Sequence, residues 1–127
     1  MKPPKQLLFL IFIILLLSSR FSQGLTQNKR IDSLKQVLSG SKNDTNKVKL
    51  LDQLSQSYTF SFADSALMYA QQGLQLAQQL DFKPGEAWCM ADLGAGLTTL
   101  GNYSMALSWN FKSLSLFKML KNTRAIA

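Results

Sequence analysis

The chain has 127 residues, a formal net charge of +7, no histidine and a single cysteine, Cys89. Without histidine, the Ser–His and Cys–His pairs that activate nucleophiles are excluded, and one cysteine cannot form an intrachain disulfide. The basic residues are scattered among seven acids, so they do not form the basic cluster on one face that nucleic-acid binding requires.

The N-terminus has the organisation of a secretory signal. Lys2 and Lys5 precede the unbroken apolar run Leu7–Leu17, and small residues lead up to Gly24. This pattern predicts a signal peptide over residues 1–24, cleaved after Gly24, and hence an exported, periplasmic or secreted protein. The alternative is an uncleaved anchor that tethers the chain to the inner membrane through its apolar run, although a span needs roughly 20 residues.

Residues 25–43 are predicted to form an N-terminal helix followed by a polar loop. The apolar stripe of this helix consists of Ile31, Leu34, Val37 and Leu38. Gly40 is predicted to end the helix, because glycine tolerates the left-handed conformation that often follows a helical C-terminus.

Two more helices are predicted before residue 82. Asp44 or Thr45 can cap the first of them by accepting from its free backbone amides. Its apolar positions are Val48, Leu51, Leu54 and Tyr58. Ser61 and Asp64 have the spacing of a capping box for the next helix. One broad face of that helix carries Ala66, Leu67, Ala70, Gly73, Leu74, Ala77 and Leu80.

Two further helices complete an all-α chain. Pro84 suits the first turn of the fourth helix, where its missing N–H is no loss. The positions of this helix predicted to face inward are Met90, Leu93, Leu97 and Leu100. Gly101 and Asn102 form a turn, and the fifth helix runs from about Tyr103 to Lys121. No segment alternates apolar and polar residues with the period of a strand.

The second half of the chain repeats itself. Residues 63–80 align with residues 103–120 at an offset of 40, so that the small residues Ala66 and Gly73 match Ala106 and Ser113. Helix pairs repeated in this way bury their apolar faces by stacking on neighbours. The small residues are therefore predicted to mark close approach between helices, since Gly73 costs roughly 1 kcal/mol of helix propensity relative to alanine.

The stretch AWCMADLGAGLTTLGNYSMALSWNFKSLSLF resembles a tetratricopeptide repeat (TPR), with Leu93-Gly94 at the Leu-Gly pair and Ala106 at the nearly obligatory alanine. Asn110 departs from the family pattern, which has a large apolar residue there. The resemblance implies antiparallel helix pairs stacked as an α-solenoid over residues 44–127. Its two full repeats cover about 44–82 and 83–121, and residues 122–127 start a third. An incomplete stack is expected to leave Leu114, Leu116, Phe117 and Leu120 partly uncovered.

The order of a signal sequence, a short helix and long TPR helices is similar to the exported N-terminal region of bacterial TPR-containing sensor histidine kinases and transcriptional regulators. This similarity leaves two functions open. One is a non-catalytic, exported module that binds a protein or peptide. The other is the N-terminal sensor fragment of a signal-transduction protein.

No enzyme chemistry, metal site or cofactor is predicted, because histidine is absent and the acids show no paired spacing. The acids are predicted to face the surface. The TPR resemblance instead implies a concave groove, lined by the first helix of each repeat, that binds a protein or peptide partner. The residues it places there are Lys49, Asp52, Gln56, Thr59, Trp88, Ala91, Ala95 and Thr98. Trp88 is either a binding anchor or a residue packed against a neighbouring helix pair.

Overall fold

The computed structural model describes the backbone of residues 2–126, and the side chains of these residues except 19–23 and 124–126. These residues form helices and turns and no strand. The helices are α1 (Lys5–Ser39), α2 (Thr45–Tyr58), α3 (Ala63–Gln79), α4 (Lys83–Thr99) and α5 (Tyr103–Ile126). The chain divides into two compact units, Met1–Ser33 and Leu34–Ala127. The all-α prediction is confirmed.

The first unit consists of the N-terminal part of α1. The apolar side chains of Leu7–Leu17 are largely exposed along this helix. The predicted cleavage position after Gly24 lies within the helix. Over the part of the chain that the structure describes, none of the helices has the length and apolarity needed to cross a membrane.

The second unit is a stack in which α2 packs on α3, α3 on α4 and α4 on α5, and α2 also packs on α4. This is the arrangement that the repeat predicted. The buried core contains Val48, Leu51, Ala70, Leu74, Leu76, Ala77, Cys89 and Leu93. At the start of the stack, Tyr58 stacks on Tyr69 with ring centroids 5.7 Å apart, and the Lys35 ammonium lies over the Tyr58 ring.

The small residues do mark close approaches between helices. A Cβ on Gly73 would lie 2.7 Å from the Cys89 sulfur on α4, and the Asn110 amide occupies the space that a Cβ on Gly94 would need. The second contact also explains the departure at Asn110. Ser113, the counterpart of Gly73, is buried and donates a hydrogen bond to the Ala87 carbonyl. The packing prediction made from the repeat is confirmed at these positions.

The helix ends follow local sequence signals in three places. Asp44 caps α2, since its carboxylate accepts from the backbone N–H groups of Asn46 and Lys47. Asp81 (φ 50°) and Gly101 (φ 78°) adopt the left-handed conformation after α3 and α4. At both ends the following residue donates to a carbonyl five positions earlier, from Phe82 to Ala77 and from Asn102 to Leu97. These are Schellman motifs.

One end signal was wrong, and a second marked the right position with a different conformation. The capping box predicted for α3 does not form, because Phe62 is the N-cap residue and no side chain caps the helix. For Gly40 the predicted end is confirmed, since α1 ends at Ser39 directly before it, but Gly40 does not adopt a left-handed φ. Instead, Ser41 turns back on the helix, and both its N–H and its hydroxyl donate to the Leu38 carbonyl.

Some apolar side chains lie outside the core. Val37, Leu80 and Leu100 were predicted to face inward but are exposed. For Leu80 and Leu100 the reason is position, since each is the C-cap residue that turns away from the stack. On α5, Leu114 and Phe117 are exposed and Leu116 and Leu120 half-buried, as expected for a helix without a further layer. This helix continues to Ile126, so no turn marks the boundary near residue 121.

Candidate functional site

A groove of about 370 Å³ lies between α2 and α4 and is closed at one side by α5. We call it the α2–α4 groove; its lining residues are Lys49, Asp52, Gln53, Gln56, Trp88, Ala91, Asp92 and Phe117. On α2 these side chains recur at three- and four-residue spacing beside the face that buries Val48, Leu51 and Leu54. The groove is therefore built on helices whose other faces are fixed in the core.

The structure brings together five of the eight residues predicted for the groove. Lys49, Asp52 and Gln56 reach it from α2, and Trp88 and Ala91 from α4.

The other three predicted residues lie elsewhere. Thr59 is buried at the end of α2 and donates to the Ser55 carbonyl, so it cannot contact a partner. Ala95 and Thr98 are exposed but do not line the groove. They lie nearer the C-terminal end of α4, one and two turns beyond Ala91.

Trp88 packs against a neighbouring ring and also reaches the groove. Its indole packs edge-on against Phe82, with ring centroids 5.5 Å apart and the ring planes at 82°. The same side chain is only half-buried and lines the groove beside Phe117. The contact with Phe82 holds an aromatic face at the groove wall, where it adds apolar contact area without needing to be ordered on binding.

The prediction that the acids face the surface was wrong for Asp92 and for Glu86, which is 6 % exposed and pairs with Lys83. Asp92 is the one that lies in the groove. Its side chain was predicted to face the surface, whereas the structure buries it to 7 % exposure in the groove wall. Its Oδ2 atom has no hydrogen-bond partner. A signal was present in the sequence, since Asp92 follows Trp88 by four residues and so shares its side of the helix.

Asp92 lies next to a second carboxyl group, that of Asp52. The Gln56 side-chain amide donates to Asp52 Oδ1 at 3.0 Å, which orients the Asp52 carboxylate. Burial raises the pKa of Asp92 to about 9, and hydrogen bonding and charge repulsion with Asp52 act in the same direction, while Gln56 opposes them. Asp92 is therefore protonated at neutral pH, and its ionisation requires a compensating positive charge.

Gln53 and Phe117 also line the groove without having been predicted there. Phe117 comes from the second helix of the repeat, and whether its side chain reaches the groove depends on how α5 crosses α4.

A larger, mainly apolar depression of about 610 Å³ lies on α4 and α5, near Met90 and Met119. Among the described residues, no group of three or more His, Cys, Asp or Glu side chains could hold a metal ion.

Comparison with known proteins identifies the repeat. The family profile described as the SusR N-terminal TPR domain matches residues 22–110, which is more than half of the chain. The searches of curated proteins and of solved structures gave no match. The matched range contains α2, α3 and α4 and every groove residue except Phe117. The chain thus belongs to the family of SusR N-terminal TPR domains, and it is a helical-repeat protein of the kind that generally binds protein partners.

Proposed function

We propose that the protein is a non-catalytic binding module whose α2–α4 groove holds a segment of a protein or peptide partner. The observation that carries this proposal is the half-exposed Trp88 beside Asp52 and Phe117 in one groove. Tryptophan is enriched among residues that dominate binding energies, and polar groups next to it would fix the orientation of a partner.

The test is selection of short random peptides on the full chain, followed by affinity measurements on variants. Trp88→Ala should weaken binding of the enriched peptides by about 2 kcal/mol or more, as expected for an anchor. Phe60→Ala is the matched control, because Phe60 is a 90 % exposed aromatic residue outside the groove. The proposal fails if no peptide is enriched, or if the two variants bind equally well.

We also propose that residues 1–24 direct export and are removed from the mature protein. The charged start, the apolar run at Leu7–Leu17 and the small residues before Leu25 support this. N-terminal sequencing of the protein recovered from its native host should begin near Leu25. Recovery of the intact N-terminus in the membrane fraction would instead support the inner-membrane anchor.

A signalling role is the second candidate function. It is supported by the similarity of a signal sequence followed by long TPR helices to the sensor regions of histidine kinases and transcriptional regulators. The test is the coding sequence that follows residue 127. A membrane-spanning segment followed by a kinase or DNA-binding module would support a sensor fragment, whereas a stop codon after further repeats would contradict it.

A further inference from the structure

The α2–α4 groove contains a buried carboxyl group, that of Asp92, whose ionised form has no donor at one oxygen within the described residues. Asp92 is 7 % exposed, lines the groove, and has no hydrogen bond at Oδ2. The great majority of buried side-chain polar atoms in proteins have a partner. Neutral Asp92 shares its proton with Asp52, but once ionised it has no donor at Oδ2 within the protein, so its ionised form in the groove wall needs a donor that arrives with the ligand.

The surroundings of Asp92 specify the charge of that donor. Asp52 faces it from α2, and the Gln56 amide, which donates to Asp52 Oδ1, is neutral and lowers the pKa of Asp92 without supplying a positive charge. Lys49, also on α2, lines the same groove but forms no ion pair with any described residue.

The remaining neighbours add no positive charge. On its own helix, Asp92 acts on the Cys89 thiol, whose pKa is raised to about 12 by burial and by the two carboxyls, so this group is neutral. From α5 the groove receives Phe117, which does not titrate. Two carboxyls without a paired cation make this end of the groove an acceptor for positive charge.

We propose that the Asp52–Asp92 pair binds the charged end of a lysine or arginine side chain of the partner peptide. The aliphatic stem of that side chain packs against Trp88 and Phe117, the two aromatic side chains that line the same groove as the carboxyls. Long basic side chains combine an apolar stem with several N–H donors. This assignment rests on the proposed peptide-binding function and names the class of peptide that the groove selects.

The proposal has a consequence for pH. Asp92 is protonated in the free protein at neutral pH and becomes ionised when a cation sits beside it, so binding releases a proton. Affinity should then rise between pH 7 and pH 9, by up to about tenfold per pH unit. A lysine or arginine ligand stays charged over this range.

The experiment uses peptides enriched on the full chain. They should share a lysine or arginine at one position, and replacement by norleucine or citrulline should weaken binding about tenfold or more. Asp52→Asn, at a half-exposed site, should weaken binding of the basic peptide to a similar extent, with an unchanged circular-dichroism spectrum as the check that the variant is folded. Asp64→Asn is the matched control, since Asp64 is exposed on α3 outside the groove.

Asp92→Asn provides a second, independent readout. In this variant the affinity for the basic peptide should no longer rise between pH 7 and pH 9. Peptides that bind equally well with norleucine in place of the basic residue would overturn the proposal while leaving the groove a peptide-binding site. Equal affinities of Asp52→Asn and Asp64→Asn for the basic peptide would likewise overturn the proposal while leaving the groove a peptide-binding site. Absence of any enriched peptide would overturn both the proposed function and this inference.

Discussion

The sulfur of Cys89 on α4 occupies the space beside Gly73 on α3, 2.7 Å from the position that a Cβ on the glycine would take. Leu51 on α2 closes the same space, at 3.3 Å from that position. Three helices of the stack therefore meet at one glycine. This contact locks the two repeats together and thereby fixes the spacing of α2 and α4, which form the groove.

Gly73→Ala should destabilise the protein, although alanine is the better helix former by about 1 kcal/mol. The added methyl group meets a fully buried thiol, and overpacking of this kind typically costs about 1–3 kcal/mol. Denaturant unfolding of both proteins measures the difference. In the double variant with Cys89→Ala, the Gly73→Ala change should cost less. An increase in stability from Gly73→Ala alone would contradict the close approach.

Gly101→Ala tests a different requirement for glycine. Nothing lies within 4 Å of a Cβ at this position, so any loss arises from the positive φ of 78° alone. We expect destabilisation of about 1 kcal/mol, measured by denaturant unfolding. The reverse change at the equivalent helix end, Asp81→Gly, should stabilise the protein, because Asp81 holds the left-handed conformation without being glycine. Equal stability of Gly101→Ala and the parent would argue against the Schellman motif.

Ser113→Ala should lower the free energy of unfolding by about 1 kcal/mol, the usual net contribution of one hydrogen bond. The buried Ser113 hydroxyl donates to the Ala87 carbonyl at 2.7 Å and so ties α5 to α4. The control is Ser108→Ala on the same helix, where the serine is exposed. If both variants unfold at the same denaturant concentration, the interhelical bond contributes nothing to stability.

Asp92→Asn should change how stability depends on pH. The pKa of Asp92 is about 9 in the folded protein, compared with 3.8 for an ordinary aspartate. Between these values the unfolded chain has lost a proton that the folded protein keeps, so raising the pH favours unfolding by up to about 1.4 kcal/mol per pH unit. The contribution is constant above the folded pKa.

The measurement is the free energy of unfolding of both proteins from pH 5 to pH 9. Asparagine imitates the neutral carboxyl, so the free energy of unfolding of the variant should increase relative to that of the parent as the pH rises. Parallel curves would show that Asp92 titrates alike in the folded and unfolded states, and would contradict its buried, proton-bound form.

The repeat could be predicted from the sequence because the patterns that indicate it are local or periodic. Asp44, one of the two predicted caps, caps α2, Pro84 lies in the first turn of α4, and Gly73 marked a helix contact. The exposure of side chains at the helix ends was harder to predict. Leu80 and Leu100 continue the apolar period of their helices but lie where the chain turns away from the stack.

The groove could be predicted only in part. Lys49, Asp52 and Gln56 follow from the period of one helix and the TPR resemblance. Phe117 joins them through the crossing of α5 and α4, which no single-helix pattern encodes. Asp92 was misplaced because charged residues at the edge of an apolar stripe ordinarily face water. Its burial is decided by the neighbouring helix.

The most direct test of groove binding uses the two tryptophans as internal probes of the full chain. Trp88 lines the groove, whereas Trp109 packs against the core and lies outside it. Each indole N–H gives one resonance in a proton–nitrogen correlation spectrum, assigned with Trp88→Phe. A saturating basic peptide should shift the Trp88 resonance and leave that of Trp109 in place. A shift of Trp109 alone, or of neither resonance, would contradict binding in the α2–α4 groove.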